Sequence, residues 1–375
     1  MTTQTVSTEI DDPTNKAILA VSEDLIDGFN EDPFQLIADK SGFPLETVLS
    51  RIRAMLESGT IRRVRQTLMA TNLAQGALVA WQVSPDRLDA AFDYLFENDP
   101  FSGHVVIRST DPGTPGGSFR LWTTLKVPQG FSLQKHGEFL REKIGADRFL
   151  LMPAKRVFAL GVGHVRRLGM LPGAKTDEVA ETHDTKIVEL SDLDWQVLVT
   201  LKRELTLDEV AADLWTRRAA ESEVPYASFI ETAKSLSDRR VIGRFSTFLE
   251  HVKPSQGNQR ATRYNALFHW AVPKGRELEA GGQVGRFLIM THAYWREGGP
   301  DFNNVNIMGV AHGQEKDTVL EHKAAIDAHL VASGIPVNYT AVFWGGRSEI
   351  KPSEIEPHAY RQFCLANNLD PEAMR

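Results

Sequence analysis

The chain repeats itself, and the repeat limits what it can fold into. Ala77–Val83 reads ALVAWQV and Ala266–Val272 reads ALFHWAV. Upstream, Ile61–Leu68 (IRRVRQTL) matches Ile242–Leu249 (IGRFSTFL). Downstream, His104-x-x-x-Arg108 matches His292-x-x-x-Arg296, and VFALG at Val157 matches VFWGG at Val342. The matched pairs keep their order at a spacing of about 185 residues, far beyond the units of a solenoid. Length alone, 375 residues, suggests two to three domains. The repeat makes them two copies of one plan.

Each half opens with helical punctuation. Asn15–Asp27 places Ile18, Leu19, Val21, Leu25 and Ile26 at helical spacing. PFQLIADKSG predicts a short helix closed by Gly42. A third helix opens at Pro44 and stops at Gly59, with Val48, Ile52, Met55 and Leu56 on one face. A short helix, a glycine-bearing turn and a longer helix form a helix-turn-helix pattern. The second half repeats it over Asp192–Glu204, Leu207–Leu214 and Tyr226–Ser237, its turn stretched by the polar insert TRRAAESEVP.

Both halves then turn β-rich. The first predicts strand TLMATNLAQGALVAWQV, helix Leu88–Phe96 and strands His104–Arg108 and Arg120–Val127 across the turn DPGTPGGS. Helix Phe131–Ile144 and strand Arg156–Val162 follow. The second predicts strand Leu267–Val272, helix Gly281–Leu288, strands His292–Arg296 and Val305–His312, helix Thr318–Ser333 and strand Thr340–Trp344. The order β-α-β-β-α-β is ferredoxin-like. A mobile polar linker is expected at 168–185, and the last ~25 residues read as an appended tail with one short helix.

Composition removes several classes. Cys364 is the one cysteine, so neither an internal disulfide nor a cysteine-rich metal site can form; no metal site is expected. No run approaches the ~18 apolar residues of a membrane span, and MTTQTVSTEIDD lacks the features of a signal peptide. A cytoplasmic protein is the expectation. Net charge is −7, against the basic footprint of a dedicated DNA binder. No Walker loop, dinucleotide fingerprint, HExxH or Gly-x-Ser-x-Gly occurs.

A winged helix-turn-helix followed by a βαββαβ domain is the plan of the Lrp/AsnC regulators. The chain resembles that superfamily twice over, and most of all its siroheme decarboxylase branch. GRFSTFLEH (Gly243–His251) is similar to the branch's arginine–phenylalanine wing strand, and YNALFHWAVP (Tyr264–Pro273) to its Asn-Ala strand. THAYWRE (Thr291–Glu297) and NVNIMGVAHGQ (Asn304–Gln314) are similar to its Ser-His-x-Tyr-x-Arg and Met-x-His-Gly strands. The resemblance implies an α+β chain of two tandem copies, each a winged helix-turn-helix (13–68, 186–250) plus a ferredoxin-like domain (69–167, 251–348). It also implies an internal pseudo-dimer with a ligand cleft between each wing and its neighbour's sheet. Further association of whole chains is left open. The first half departs from the pattern. It keeps Arg62, Arg63, Trp81, His104 and Arg108, lacks the tyrosine and the His-Gly, and has Arg65 where the second half has the small Ser246.

The implied substrate is an iron tetrapyrrole rich in carboxylates, decarboxylated at acetate side chains without an organic cofactor. Such chemistry needs arginine forks for the carboxylates that stay, an apolar wall for the one that leaves, and a proton donor for the carbanion, a task suited to histidine. His292, His251 and His104 are the expected catalytic residues. Arg244, Arg296, Tyr294, His312, Arg63 and Arg108 are the expected substrate-binding ones. Period two puts His292, Tyr294 and Arg296 on one strand face and Trp295 on the other.

Plainer readings stand beside these. The wing arginines Arg62, Arg63 and Arg65 could be solvated or contact phosphates, His312 could cap a turn, and His269 fits a core or interface position. Two other functions compete: an Lrp/AsnC-type transcription regulator and a tetrapyrrole or metabolite sensor without turnover. Against the regulator, helices Leu45–Ser58 and Tyr226–Ser237 are nearly neutral on their exposed faces, whereas phosphate contacts supply most DNA affinity.

Overall fold

Asp12 starts the first helix, its carboxylate accepting from the N–H groups of Thr14 and Asn15 and so satisfying two donors that a helix start leaves open. The computed structural model describes residues 6–375 except 162, 168, 181, 183–186 and 251–261, with backbone only at Ala70. Along the chain run α1 (Pro13–Ser22), α2 (Pro33–Ser41), α3 (Leu45–Glu57) and β1 (Ile61–Leu68). Then come β2 (Ala74–Gln82), α4 (Leu88–Glu97), β3 (Ser102–Ser109), β4 (Leu121–Pro128), α5 (Leu133–Ile144), β5 (Arg148–Pro153), β6 (Arg156–Leu160) and α6 (His164–Arg167). The second half supplies α7 (Asp192–Lys202), α8 (Leu214–Glu221), α9 (Tyr226–Asp238) and β7 (Ile242–Leu249). It ends with β8 (Tyr264–Ala271), α10 (Glu277–Gly285), β9 (Met290–Trp295), β10 (Ile307–Gly313), α11 (Lys316–Ala332), β11 (Tyr339–Ile350) and α12 (Pro357–Ala366).

One element differs in kind from its sequence reading. The expected helix Leu207–Leu214 is only a short 3-10 turn at Leu207–Glu209, and most of the supposed stretched turn is the helix α8. The insert looked solvated because it is charged. In fact Arg218 is fully buried, paired with Glu209 and donating to the carbonyls of Thr200 and Glu204. A paired buried charge is tolerated where a lone one is not, and Trp215 and Ala219 complete the buried face.

The chain forms two compact units, and each gathers like parts of both halves. The first comprises Met1–Met69, Gly161–Gly169 and Val188–Arg263. In it β1 and β7 form an antiparallel ribbon, with Val64 opposite Thr247 and Arg65 opposite Ser246. The helices of both halves bury Ile18, Ile37, Ile52, Leu201, Phe229 and Leu236. The segment around α6 is held by two acids, Asp24 accepting from Gly163 N–H and Glu23 from Val165 N–H, each at 2.8 Å.

The second unit comprises Ala70–Leu160, Met170–Ile187 and Tyr264–Arg375. Its described strands form one nine-stranded sheet in the order β5-β2-β4-β3-β11-β8-β10-β9-β6, every ladder antiparallel. The two halves contribute equivalent quartets, β5-β2-β4-β3 and β11-β8-β10-β9. One face of the first packs Trp81, Phe92, Leu95 and Leu140 with α4 and α5. One face of the second packs Phe268, Trp270, Val284 and Ile326 with α10 and α11. The remaining faces meet, burying Ala80, Val106, Trp122 and Met152 of the first half with Leu267, Ala271, Met308 and Phe343 of the second.

Three expectations change here. The last strand of the first half is two strands: β5 pairs with its own β2, but β6 pairs with β9 of the other half. The supposed tail is core, since β11 runs on to pair with β3 and α12 buries Tyr360 and Cys364 against Phe101 and Phe131. There Tyr360 Oη and Asp99 Oδ1 bond the two ring nitrogens of the fully buried His136, at 3.0 and 3.2 Å. The polar segment read as a mobile linker packs on α10 and its following turn: Thr176 N–H donates to Arg286, Ala180 N–H to Gly282, and Lys175 bridges to Phe287. Backbone hydrogen bonds carry no sequence signature, so polarity alone misread this stretch.

Candidate functional site

Cross-strand pairing decides which side chains share a face. On β9, His292 lies opposite Val310 and Tyr294 opposite Met308, and Val310 and Met308 belong to the core between the quartets. His292 and Tyr294 therefore point inward, with Arg296 two residues on, while Ala293 and Trp295 pack toward α10 and α11. The expected alternation holds. The three inward side chains form a ladder. The His292 and Tyr294 rings are 6.1 Å apart and nearly parallel, and the Arg296 guanidinium sits 4.4 Å from the Tyr294 ring centre. Arg296 also donates to the carbonyl of Met152 on β5. Burial lowers its pKa, and burial raises that of Tyr294 against the pull of the Arg296 charge. His292 Nδ1 is 3.1 Å from Thr291 Oγ1.

The first-half counterparts face the same interior, because Val106 between them pairs with Trp122 in that core. His104 Nε2 is 2.8 Å from Ser348 Oγ on β11. Arg108 is 4% exposed and donates to Asn265 Oδ1 at 3.1 Å and to the Phe343 carbonyl at 3.2 Å. Burial alone lowers its pKa to about 9, so it stays a cation at neutral pH. His312 stands directly opposite Asn265 across β10 and β8. Thus Arg108 of one half and His312 of the other converge on Asn265. Sequence reasoning missed Asn265, although it opens the Asn-Ala strand motif.

His269 is the further inward group, fully buried with neither ring nitrogen hydrogen-bonded. Its ring lies 4.7 Å from Phe343. Burial first, then the Arg108 and Lys323 charges, lower its pKa to about 3. It is a neutral core histidine, in keeping with the plain reading.

In the first unit, Arg63 is 7% exposed and pairs with Glu204 at 2.8 Å. Burial lowers the pKa of Arg244, opposed by Asp24, Glu23 and Asp27. His251 lies outside the described residues. A cavity of about 350 Å³ in this unit is lined by Phe29, Glu31, Asp32, Asp39 and Lys234 among others, and none of the expected site residues borders it. Among the described residues no cluster of three or more His, Cys, Asp or Glu could hold a metal ion, and no helix is long and apolar enough to cross a membrane.

Known proteins share the fold of this chain. The fold is that of the crystal structure of the siroheme decarboxylase NirDL, with a TM-score of 0.65, 18% identity, and 95% of this chain and 98% of that one covered. The same protein in co-complex with an iron-uroporphyrin III analogue gives a TM-score of 0.63 at 17% identity, covering 94% and 99%. In sequence, the chain is 24% identical over 296 residues to siroheme decarboxylase of Hydrogenobacter thermophilus, spanning 77% of this chain and 80% of that protein. It is 36% identical over 106 residues to the siroheme decarboxylase beta subunit of Oleidesulfovibrio alaskensis, spanning 27% of this chain and 65% of that subunit. No family model matches the chain.

Proposed function

We propose that the chain decarboxylates siroheme or a closely related iron tetrapyrrole at its acetate side chains. The observation that carries this reading is the sequence match to siroheme decarboxylase across 80% of that protein. The chemistry is consistent with it. Arg296, steadied by Tyr294, and the Arg108–Asn265–His312 group offer forks and donors for carboxylates that stay. When the leaving carboxylate departs as CO₂, the C–C bond electrons remain on the methylene carbon, and a histidine proton completes the methyl group. His292 is assigned that proton, with His104 as its first-half counterpart. For the first unit the reading keeps Arg63 and Arg244 as carboxylate-binding residues and His251 as a proton donor.

The same reading assigns the chain to the Lrp/AsnC superfamily, as two copies of a winged helix-turn-helix plus a ferredoxin-like domain, forming an internal pseudo-dimer in the cytoplasm. A regulator is disfavoured, because two of the three cations on its would-be reading helices are already engaged. Arg51 pairs with Asp12 at 3.2 Å, and Lys234 pairs with Glu31.

The test is anaerobic incubation with siroheme and mass analysis of the porphyrin. Loss of CO₂ units is expected. A pigment bound tightly but recovered unchanged would favour a sensor, and a DNA gel shift that weakens steeply with salt would favour the regulator.

A further inference from the structure

Strand β9 loses its period of two just before His292. Met290 pairs with Ala311 and His292 with Val310, so Thr291 is an extra residue in the ladder. The packing shows the effect: Met290 and Ala293, three positions apart, both belong to the core under α10 and α11. Such a β-bulge re-aims the side chains beside it. Here it brings two chain neighbours together. Thr291, 1% exposed, has its Oγ1 at 3.1 Å from His292 Nδ1 and at 3.0 Å from the Val310 carbonyl oxygen. A carbonyl oxygen only accepts, so the one hydroxyl proton goes to Val310, and Thr291 Oγ1 accepts from His292. That bond requires a hydrogen on Nδ1, and the bond made by one ring nitrogen sets the form of the other.

Strand β3 carries the same bulge one residue before its own histidine. Ser102 pairs with Leu125 and His104 with Thr124, which makes Gly103 the extra residue. Glycine offers no hydroxyl, and a Cβ in its place would collide with Ser353 Oγ. The His104 ring is bonded through Nε2, to Ser348 Oγ. The backbone device is thus common to both halves, and the second half adds a side chain that holds Nδ1.

We propose that Thr291 is a positioning residue that keeps the proton on Nδ1 of His292, so that Nε2, at the far end of the ring, is the atom that delivers the proton in decarboxylation. The inference rests on the decarboxylase reading above. When the C–C bond breaks and CO₂ leaves, the electron pair stays on the methylene carbon. The Nε2 proton of the imidazolium passes to that carbon, and the ring keeps its Nδ1 proton as a neutral imidazole. Water returns a proton to Nε2 before the next turnover. The bond to Thr291 holds before and after the transfer, so the ring neither turns nor exchanges its nitrogens.

The test reads the ring directly. The full chain is labelled with ¹⁵N-histidine, and His292 is assigned by its loss from the spectrum of His292→Ala. The long-range ¹H–¹⁵N spectrum at alkaline pH should show Nδ1 protonated and Nε2 bare. Thr291→Val keeps the shape and removes the oxygen. It should move the proton largely to Nε2 and leave KM for siroheme unchanged, while kcat falls about tenfold, the scale of one hydrogen bond to a charged group. Thr291→Ser keeps a hydroxyl and should restore the signal and most of kcat. An Nε2-protonated ring in the unaltered chain, a Val variant with unchanged signal or unchanged kcat, or a Ser variant as slow as Val would each overturn the proposal. If Thr291 controls the ring proton yet the unaltered chain releases no CO₂ from siroheme, the decarboxylase reading fails and the hold of Thr291 on the ring stands.

Discussion

Strands β3 and β9 occupy equivalent places in the two quartets and carry the same His-x-x-x-Arg, yet their arginines live differently. Arg108 is almost fully buried and bound by Asn265 and the Phe343 carbonyl, with Val106 beside it in the core. Arg296 stacks on Tyr294, which replaces that valine. The cause lies in the neighbouring strand. Long β11 covers β3, whereas the short β6 covers β9. A duplicated motif thus became an enclosed, hydrogen-bonded cation in one half and an aromatic–cation pair in the other.

The helix layers differ too, and the largest expected effect lies there. α12 covers the first half only, so truncation after Ile350 removes Tyr360, Cys364 and Met374 from its core. At roughly 1.5–3 kcal/mol per large buried side chain, a loss of about 5 kcal/mol is expected in urea unfolding. An unchanged midpoint would show that α12 is dispensable.

Within the site, His292→Ala should lower kcat about 100-fold, the scale of a lost general acid, and His104→Ala less than about threefold. Equal losses, measured as porphyrin mass change over time, would erase the proposed asymmetry.

Position 269 gives a pH comparison, since its first-half counterpart is Ala80. The folded pKa of His269, about 3, lies below its ordinary 6.5. The unfolded chain therefore binds the proton first. The stability this histidine contributes is complete above pH 6.5 and is lost as pH falls toward 3. His269→Ala should flatten the slope of urea midpoint against pH between these values, even if a cavity lowers every midpoint. A slope identical to that of the unaltered chain would refute the assignment.

The smallest effect is expected at Arg108. Replacing a buried cation that has no carboxylate partner by Met should leave thermal stability within about 1 kcal/mol or raise it, because the desolvation cost disappears with the charge. A marked fall in Tm would mean that its bonds to Asn265 and Phe343 matter more than its burial costs.

Much of this was legible in the chain itself. The repeat, the helix start at Pro44 and the alternation on β9 follow from local rules that act within a few residues: capping, period 3.6 and period two. Those rules placed His292, Tyr294 and Arg296 on one face before any packing was known. They could not show that β6 and β11 cross between quartets, that α12 is core, or that Arg218 and Arg108 are buried. Partner choice between strands and the burial of a charge depend on residues hundreds of positions apart, and hydrogen bonds from one backbone to another leave no mark in either sequence. The sequence determined the elements and the faces of this protein; the tertiary structure alone decided which of two identical motifs would be enclosed.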